Sequence, residues 1–438
     1  MQQQEPRKAM QLYLSMPIIA WALFDLANTI FSSNINTIFF PFYMNDTLGT
    51  DEVKQQVAST FISYANAVAS ILLVICSPLY GVLVDRTGLK KRYTMYFTLF
   101  SVGFTILMGV FGKISFDSAL FGVPMSLALV VIAYVFAKFF YNSSLVFYDS
   151  MLPDLGNDKE IPLISGYGVA LGGVGTLIGL LVYPISIKWS NVDTFIPTAL
   201  LFLLFSLPLF FILKDKPKPK VERIPFFTGY KDIVVTLKDM KKHKAIFTFM
   251  ITYFFLNDAL QTAIAMMAVY ATIVVGFTSG QFILLYLVST ISMIIGSLVF
   301  GNITRAAGAK RAVTFVCFIM IAALLIAVFA QEQWMFWIAG SLFGVSLGST
   351  WVTSRTFIIQ LSPPEKTGQF FGLFAFSGKV SSIVGPALYG TITLMLKDYG
   401  TLASRVALGS LLVLTIIGLI VHLFVRVPKS TKSATIES

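Results

Sequence analysis

The order of apolar and polar positions along the 438-residue chain predicts twelve membrane-spanning helices. A helix that crosses a bilayer needs about 20 mostly apolar residues. Only helices fit such runs, because an open sheet leaves backbone groups without hydrogen-bond partners in lipid. The predicted spans are residues 17–44, 57–84, 93–113, 119–150, 162–188, 193–213, 244–275, 279–303, 311–331, 334–361, 367–396 and 400–426.

One long polar segment divides the twelve spans into two sets of six. Residues 214–243 contain a Lys-Pro repeat followed by a short amphipathic stretch, which is typical of an extended segment and a helix on an anionic membrane surface. The predicted units are therefore an N-terminal six-helix half (1–213), a basic cytoplasmic linker (214–243) and a C-terminal six-helix half (244–438).

The two halves also resemble each other in sequence, as expected of an internal duplication. The alignment pairs Asp25 with Asp258 and Gly88 with Gly308. Three pairs of segments carry it, namely 24–31 with 257–264, 81–92 with 301–311, and 165–183 with 371–389. Two duplicated six-helix halves are the organisation of major facilitator transporters, whose substrate site lies between the halves near the middle of the membrane. The sequence thus predicts an all-α integral membrane protein with this fold.

Composition and charge agree with a membrane protein. Only 12% of the residues are charged, against about 25% in a soluble domain, and the mean hydropathy is +0.80. The net charge is +11, and 24 of the 32 Lys and Arg residues fall in connections on the side of the N-terminus. This asymmetry predicts cytoplasmic termini in a cell membrane, and it explains the positive charge without nucleic-acid binding.

Few side chains are available for metal, redox or catalytic chemistry. The two cysteines, Cys76 and Cys317, lie in apolar runs, and His243 and His422 are the only histidines. The loops contain no nucleophile–base arrangement, and the chain has no phosphate-binding loop for ATP. We therefore expect no enzymatic activity, no metal site and no cofactor.

Five charged side chains fall well inside predicted spans, away from the span ends, where each costs roughly 2.5–3.5 kcal/mol and is a functional candidate. Four of them are on spans 1, 4, 7 and 10, which line the cavity in the major facilitator arrangement, and the fifth is on the neighbouring span 11. The five residues are Asp25, Lys138, Asp258, Arg355 and Lys379.

Each buried charge has a functional and a structural interpretation. Asp25 and Asp258 are candidates to carry a coupling proton or sodium ion or to pair with a substrate amine, and the alternative is a helix-packing role. Arg355 is able to bind a substrate carboxylate, to reach the membrane interface or to latch the two halves together. For the deeply placed Lys138 and Lys379 the alternatives are a substrate contact and an ion pair, which for Lys379 we expect to involve an aspartate.

Uncharged polar residues accompany two of these charges. Asn28 lies one helical turn after Asp25, and Asn257 and Gln261 lie next to and one turn after Asp258. These amides are candidates for substrate binding or charge pairing.

The segment GVLVDRTGLKKR is similar to the loop signature that major facilitator transporters carry between their second and third spans. In that superfamily the motif steadies the contact between the halves on the cytoplasmic side and takes part in gating. The residues that match the motif are Gly81, Asp85, Arg86, Gly88, Lys90 and Arg92.

Five segments resemble one branch, the unknown-major-facilitator family, whose fungal members are autophagy-linked vacuolar amino-acid effluxers. They lie at residues 21–31, 140–155, 164–175, 353–363 and 370–386, so the resemblance covers both halves. It implies that the family's characteristic motifs include Asp25, Asn28, Tyr141, Asn142, Arg355 and Lys379. One departure is Leu26, which occupies a position that is usually aromatic.

These observations favour a secondary active transporter that moves a small polar solute, an amino acid or a related compound, by alternating access. We expect coupling to a proton or sodium ion, contact with membrane lipids and a monomeric state. The alternatives are a lipid or amphiphile flippase, a multidrug-type exporter of the same fold, and a membrane sensor that does not transport.

Overall fold

The structure is a computed structural model, and it describes residues 7, 9–48, 52–115, 118–120, 123–217, 230–231, 234–235 and 243–427. Twelve long helical segments lie within these residues, and we number them helix 1 to helix 12 in chain order. Their bounds are Met16–Leu48, Glu52–Thr87, Lys90–Phe111, Met125–Asp149, Ile161–Lys188, Phe195–Ile212, Lys244–Val275, Ser279–Ala307, Ala309–Phe329, Gln333–Leu361, Thr367–Met395 and Thr401–Leu423.

Eleven of the described helices are long and apolar enough to cross a membrane. Helix 7 (Lys244–Val275) is not among them, although it is 32 residues long and occupies the position of the predicted seventh span. The all-helical fold is therefore confirmed, and the count of twelve crossings stays a prediction.

Helices 1 and 5 change their winding along their length. Helix 1 contains a π-helical segment, Ser32–Phe39, before it continues as Phe40–Leu48. Helix 5 passes through a 3₁₀ turn, Leu180–Val182, before its last segment, Tyr183–Lys188.

Short elements connect the long helices. The described ones are an α-helix at Ala9–Tyr13 and 3₁₀ turns at Leu152–Asp154, Asn191–Thr194, Pro364–Lys366 and Lys397–Tyr399.

The predicted start of the fourth span, residue 119, is wrong by several residues. Ala119–Leu120 (β1) and Val123–Pro124 (β2) form a small antiparallel pair, and helix 4 begins only at Met125. Pro124 has no N–H group to donate, so it is suited to the position just before a helix, where such a donor has no partner.

The helix contacts show the pseudo-symmetry that the repeat predicts. Helix 1 packs against helices 5 and 6, and helix 7 packs in the same way against helices 11 and 12. The pairs 2–4, 3–4 and 3–6 likewise correspond to the pairs 8–10, 9–10 and 9–12. The two halves meet where helix 2 packs on helix 11 and helix 5 packs on helix 8. Most of the linker 214–243 lies outside the described residues, so the division of the chain there stays a prediction.

Both ends of the described chain, Arg7 and the end of helix 12, lie at the same end of the bundle. We term this end the termini side. His422, near the end of helix 12, contacts the carbonyl oxygen of Lys310 at the start of helix 9. Arg7 binds Glu160, which precedes helix 5, through Nε at 3.0 Å and Nη2 at 3.1 Å. Burial alone would raise the pKa of the Glu160 carboxyl, but hydrogen bonds from Arg7 and from the Asn157 backbone lower it below its ordinary value.

On the termini side the halves approach each other through glycines. A Cβ atom on Gly81 of helix 2 would lie 2.3 Å from the carbonyl oxygen of Gly368 on helix 11. On the symmetry-related helices 5 and 8, a Cβ on Gly166 would lie 2.7 Å from the carbonyl oxygen of Ser297. Side chains at Gly81 and Gly166 would therefore push the two halves apart.

The paired glycines Gly88 and Gly308 end helices 2 and 8 in the same way. Their φ angles are 69° and 86°, a region that residues with a Cβ rarely adopt. The second glycine of the loop motif is thus explained by backbone conformation in both copies of the repeat.

We predict that Gly81→Ala destabilises the protein by about 1–3 kcal/mol, because its new methyl group meets the backbone of helix 11. The matched control is Gly103→Ala on helix 3, where a Cβ meets no atom within 4 Å. Both changes bring the same gain in helix propensity, about 1 kcal/mol. Thermal unfolding in detergent should show a lower Tm for Gly81→Ala and an unchanged or higher Tm for Gly103→Ala. Equal Tm values for the two variants would contradict the close packing of the halves.

Candidate functional site

Arg355 on helix 10 lies between two carboxylates of the other half. Its Nη1 is 2.9 Å from Oδ2 of Asp25 on helix 1, and its Nε is 3.0 Å from Oδ1 of Asp149 at the end of helix 4. The side chains of Arg355 and Asp25 are 13% and 7% exposed, so both charges are largely withdrawn from solvent. The contact connects the halves, and it corresponds to the latch among the three interpretations of Arg355.

Two aromatic rings lie against the guanidinium group. Its Cζ atom is 5.9 Å from the ring centroid of Trp21 and 5.8 Å from that of Tyr148. The two rings stack at 4.7 Å with an interplanar angle of 12°. The negative faces of aromatic rings attract a cation, so this pair adds to the attraction by the two carboxylates.

The position of Asp25 is fixed by its own helix and by helix 5. Asn28 donates a hydrogen bond from Nδ2 to Asp25 Oδ1 at 3.1 Å, as their one-turn spacing predicts. Helix 5 passes close to Trp21 and Asp25 through Gly168, where a Cβ would lie 2.5 Å from Trp21 and 2.9 Å from Asp25 Oδ2. A larger residue at this position would displace the carboxylate from Arg355.

Sequence analysis missed Asp149 because it lies one residue before the end of the predicted fourth span. Its position contained a signal: Asp149 follows Lys138 by 11 residues and Asn142 by seven, and this spacing puts all three on one face of helix 4. Apart from the ion pair with Arg355, Asp149 Oδ1 has no hydrogen-bond partner among the described residues.

Lys138 and Lys379 lie near the middle of helices 4 and 11, and both are half-buried. Lys138 Nζ donates a hydrogen bond to Asn66 Oδ1 on helix 2, and the hydroxyl of Tyr134 donates to the same oxygen at 2.7 Å. The two helices that carry these lysines contact each other across the two halves.

The aspartate partner expected for Lys379 is not found. No carboxylate in the described part of the chain forms an ion pair with Lys379. The reason lies in the sequence of its neighbours. Helix 11 contains no acidic residue, and the acids of helices 2 and 4 are at the helix ends, namely Glu52, Asp85 and Asp149. Asp258 of helix 7 contacts helix 11 at Gly385, six residues after Lys379.

Tyr141 and Asn142 both make contacts within the N-terminal half. Asn142 donates from Nδ2 to the carbonyl oxygen of Lys138 at 2.9 Å. The ring of Tyr141 stacks on Phe31 of helix 1 with centroids 4.5 Å apart. The stacking attaches helix 1 to helix 4 near the charged residues, whereas the hydrogen bond of Asn142 lies within helix 4.

Asp258 does not share the surroundings of its repeat partner Asp25. It is fully buried between helices 7 and 11, where its Oδ1 accepts a hydrogen bond from the Gly385 N–H at 2.6 Å. No Lys or Arg of the described chain pairs with it. Its Oδ2 and the hydroxyl of Thr262 have no hydrogen-bond partner within the described residues.

Asn257 and Gln261 lie on the same helix as Asp258. Asn257 donates from Nδ2 to the carbonyl oxygen of Gly378 and to the hydroxyl of Ser381, both at 2.8 Å, so it connects helix 7 to helix 11. Gln261 is half-buried one turn further along.

Asp85 of the loop motif contacts the opposite half directly. Its carboxylate accepts hydrogen bonds from the backbone N–H groups of Gly368 and Gln369, both at 2.8 Å, in the first turn of helix 11. A carboxylate is favoured there because the first N–H groups of a helix have no partner within it and carry partial positive charge.

The basic residues of the motif lie beside Asp85 on the termini side. Arg86 is in the last turn of helix 2. Lys90 Nζ is 2.6 Å from Oδ2 of Asp154, and the backbone N–H of Arg92 donates to Oδ2 of Asp215 at 3.1 Å. These basic residues thus connect the start of helix 3 to the loop after helix 4 and to the segment after helix 6.

The described residues contain no group of three or more His, Cys, Asp or Glu side chains able to hold a metal ion. The chemistry available at the site is therefore charge pairing, hydrogen bonding and proton binding by the residues named above.

Comparisons with known proteins place these features in a family context. Residues 159–435 match a family described as vacuole effluxer Atg22 like. The uncharacterized MFS-type transporter YxiO of Bacillus subtilis is 25% identical over 424 residues, which cover 94% of this chain and 95% of that protein. Autophagy-related protein 22 of Kluyveromyces lactis is 26% identical over 262 residues, and this match covers 54% of the chain and 53% of the yeast protein.

Solved structures with the same fold are transporters. The human organic anion transporter MFSD10 superposes with a TM-score of 0.73 at 11% identity, over 95% of this chain and 100% of that one. A bacterial homologue of the iron transporter ferroportin in an outward-facing state gives a TM-score of 0.72 at 12% identity, over 94% and 99% of the two chains. At these identities the likeness concerns the fold alone.

We predict that Arg355→Gln destabilises the protein by about 3–5 kcal/mol, because two buried carboxylates lose their cation. In a double-mutant cycle, adding Asp149→Asn should cost less than in the wild type, with a coupling energy of about 1–3 kcal/mol. The control is the exposed pair Lys113 and Asp193, 2.6 Å apart, where Lys113→Gln and Asp193→Asn should couple by less than about 1 kcal/mol. Unfolding in detergent measures both cycles. Additive effects of Arg355→Gln and Asp149→Asn would contradict the ion pair.

Proposed function

The chain belongs to the Atg22-like family of major facilitator transporters, and from this premise we propose that it moves a small polar solute, an amino acid or a related compound, by alternating access. It is a multi-pass membrane protein and not an enzyme. The proposal concerns the solute, its coupling to an ion and the residues that take part.

The link from Arg355 to Asp25 and Asp149 is the observation that carries the proposal. Alternating access needs contacts that hold the halves together on one side in one state and break in the other. Arg355 is on the C-terminal half, and both aspartates are on the N-terminal half. A charged link of this kind favours two discrete states, because a partly opened ion pair in a dry interior is costly.

The hydrogen bonds of Asp85 and the packing at Gly81 support the same assignment. Both lie on the termini side, and both join helix 2 to helix 11. We propose that the termini side is closed in this state and that opening breaks the contacts of Arg355 and Asp85 together.

Asp258 is our candidate for the residue that carries a coupling proton. Asp25 already has a cation, Arg355, and an amide donor, Asn28. Among the described residues, Asp258 has no cation and its Oδ2 has no partner. An isolated carboxylate is costly to bury, and a bound proton removes that cost. Coupling to sodium is the alternative outcome of the test below.

We also propose a plasma-membrane location with cytoplasmic termini and a monomeric state. The excess of Lys and Arg in connections on the termini side supports this orientation. Exposed apolar side chains such as Leu99, Phe100 and Ile295 are suited to contact with membrane lipids.

The direct test is counterflow and pH-gradient-driven uptake in proteoliposomes, with a panel of amino acids and related acids. The purified wild type should exchange at least one of these solutes, and a pH gradient should drive its accumulation. Failure to exchange any member of the panel would overturn the proposed function. A sodium gradient that drives uptake when a pH gradient does not would overturn the assignment of the proton.

We predict that Asp258→Asn retains counterflow. Its accumulation of solute driven by the pH gradient should fall about tenfold or more, because a neutral amide cannot exchange a proton. The matched control is Asp193→Asn, an acid in a 3₁₀ turn that pairs with Lys113 outside the cavity. It should leave both activities unchanged. Gradient-driven accumulation by Asp258→Asn at the wild-type level would show that another group carries the proton.

A further inference from the structure

Two lysines that pair with no carboxylate among the described residues lie at mid-depth between the halves. Lys138 is 13 residues after the first residue of helix 4 (Met125–Asp149), and Lys379 is 12 residues after the first residue of helix 11 (Thr367–Met395). At 1.5 Å per residue, they are about 20 Å and about 18 Å from the start of their helices. This is the depth at which transporters of this architecture bind their substrates.

Both lysines are on helix faces that turn toward the meeting of helices 2, 4 and 11. Ala375, one turn before Lys379, packs against a cluster of the N-terminal half that includes Tyr80 and Phe147. Residues four apart share a helix face, so Lys379 is directed toward that half. Lys138 reaches Asn66 on helix 2 from the other direction.

No described carboxylate forms an ion pair with either lysine. Asp149 and Asp25 pair with Arg355, and Asp149 is 11 residues along helix 4 from Lys138, about 16 Å away. Asp258 of helix 7 accepts a hydrogen bond from the N–H of Gly385, six residues after Lys379. The two lysines thus place two positive charges on helices 4 and 11, which contact each other, with no acid paired to them among the described residues. In a membrane interior such charges require an anion or a water-filled cavity.

Arg355 and its two carboxylates therefore lie at one depth in the membrane, and the two lysines lie at another. Arg355 has two carboxylates and two aromatic rings around it, so its guanidinium is not available to a solute while the halves are closed. Lys379 has no hydrogen-bond acceptor among the described residues, and Lys138 has only the neutral oxygen of Asn66. A solute with two negative charges would neutralise both ammonium groups.

We infer that Lys138 and Lys379 form the substrate site and that the substrate is a small dicarboxylate, with one carboxylate on each lysine. The inference rests on the proposed transport function and names its substrate class. Acidic amino acids and simple dicarboxylic acids share this chemistry. Asn66 and Tyr134 position the ammonium group of Lys138, because Asn66 Oδ1 accepts hydrogen bonds from both Lys138 Nζ and the Tyr134 hydroxyl.

The experiment is counterflow of radiolabelled aspartate and succinate in proteoliposomes with the full chain. Glutamine, lysine and inorganic phosphate serve as comparison solutes. Exchange of aspartate and succinate identifies a general dicarboxylate site, and exchange of aspartate alone identifies an acidic amino acid site. Glutamine should exchange about tenfold less well, because one charged contact is lost. Preference for glutamine, lysine or phosphate would overturn the inference and leave the transport function standing, whereas no exchange of any solute would count against both.

Variants separate the lysine site from general effects on folding. Lys138→Gln and Lys379→Gln should each raise KM for the dicarboxylate about tenfold or more, through loss of a charge-assisted hydrogen bond. Lys138→Arg and Lys379→Arg should recover part of the affinity. The matched control is Lys188→Gln on the exposed end of helix 5, which should behave as the wild type.

A binding measurement keeps the inference testable if the glutamine variants fold poorly. Succinate or aspartate should raise the Tm of the wild type and, to a smaller extent, of the two arginine variants. Wild-type KM in both glutamine variants, or no rise of Tm in the wild type at any dicarboxylate concentration, would overturn the assignment.

Discussion

The constraint on which the structure depends is that a charge inside a membrane needs a partner. Arg355 satisfies it with Asp25 and Asp149, and these three residues come from helices 10, 1 and 4. Because the partners lie on different halves, the pairing requirement holds the two six-helix units in one relative position. Trp21 and Tyr148 complete the enclosure, and Gly168 leaves room for helix 5 to close over it. The tight packing on the termini side follows from this arrangement.

The same constraint supports the distinct roles that we propose for the other buried charges. Asp258 is buried with no cation paired to it among the described residues, so it is suited to bind a proton. Lys138 and Lys379 are half-buried with no described acid paired to them, so they are suited to bind an anion. In this proposal the Arg355 ion pairs close one side, the lysines bind the solute, and Asp258 binds the proton within the C-terminal half.

Much of the fold follows from the sequence, because lipid allows only helices and each crossing needs a long apolar run. The predicted span 244–275 coincides with helix 7, and Gly88 and Gly308 share the backbone conformation that their alignment implies. The site was less accessible to sequence reasoning. Asp149 is at a helix end, where an acid is usually solvated. Its spacing puts it on the helix face of Lys138, but its role became visible only from its pairing with Arg355. Whether Lys379 has a carboxylate partner likewise depends on which helices pack together, and the pattern of residues along the sequence does not specify this.

We propose that the Arg355 ion pairs close the termini side. This closure can be measured as the distance between spin labels at Lys159→Cys and Arg311→Cys, two exposed positions on that side of the N- and C-terminal halves, with Cys76 and Cys317 replaced. The otherwise wild-type chain should show one short, narrow distance distribution, and Arg355→Gln should add a second, longer population. The same narrow distribution in both proteins would contradict it.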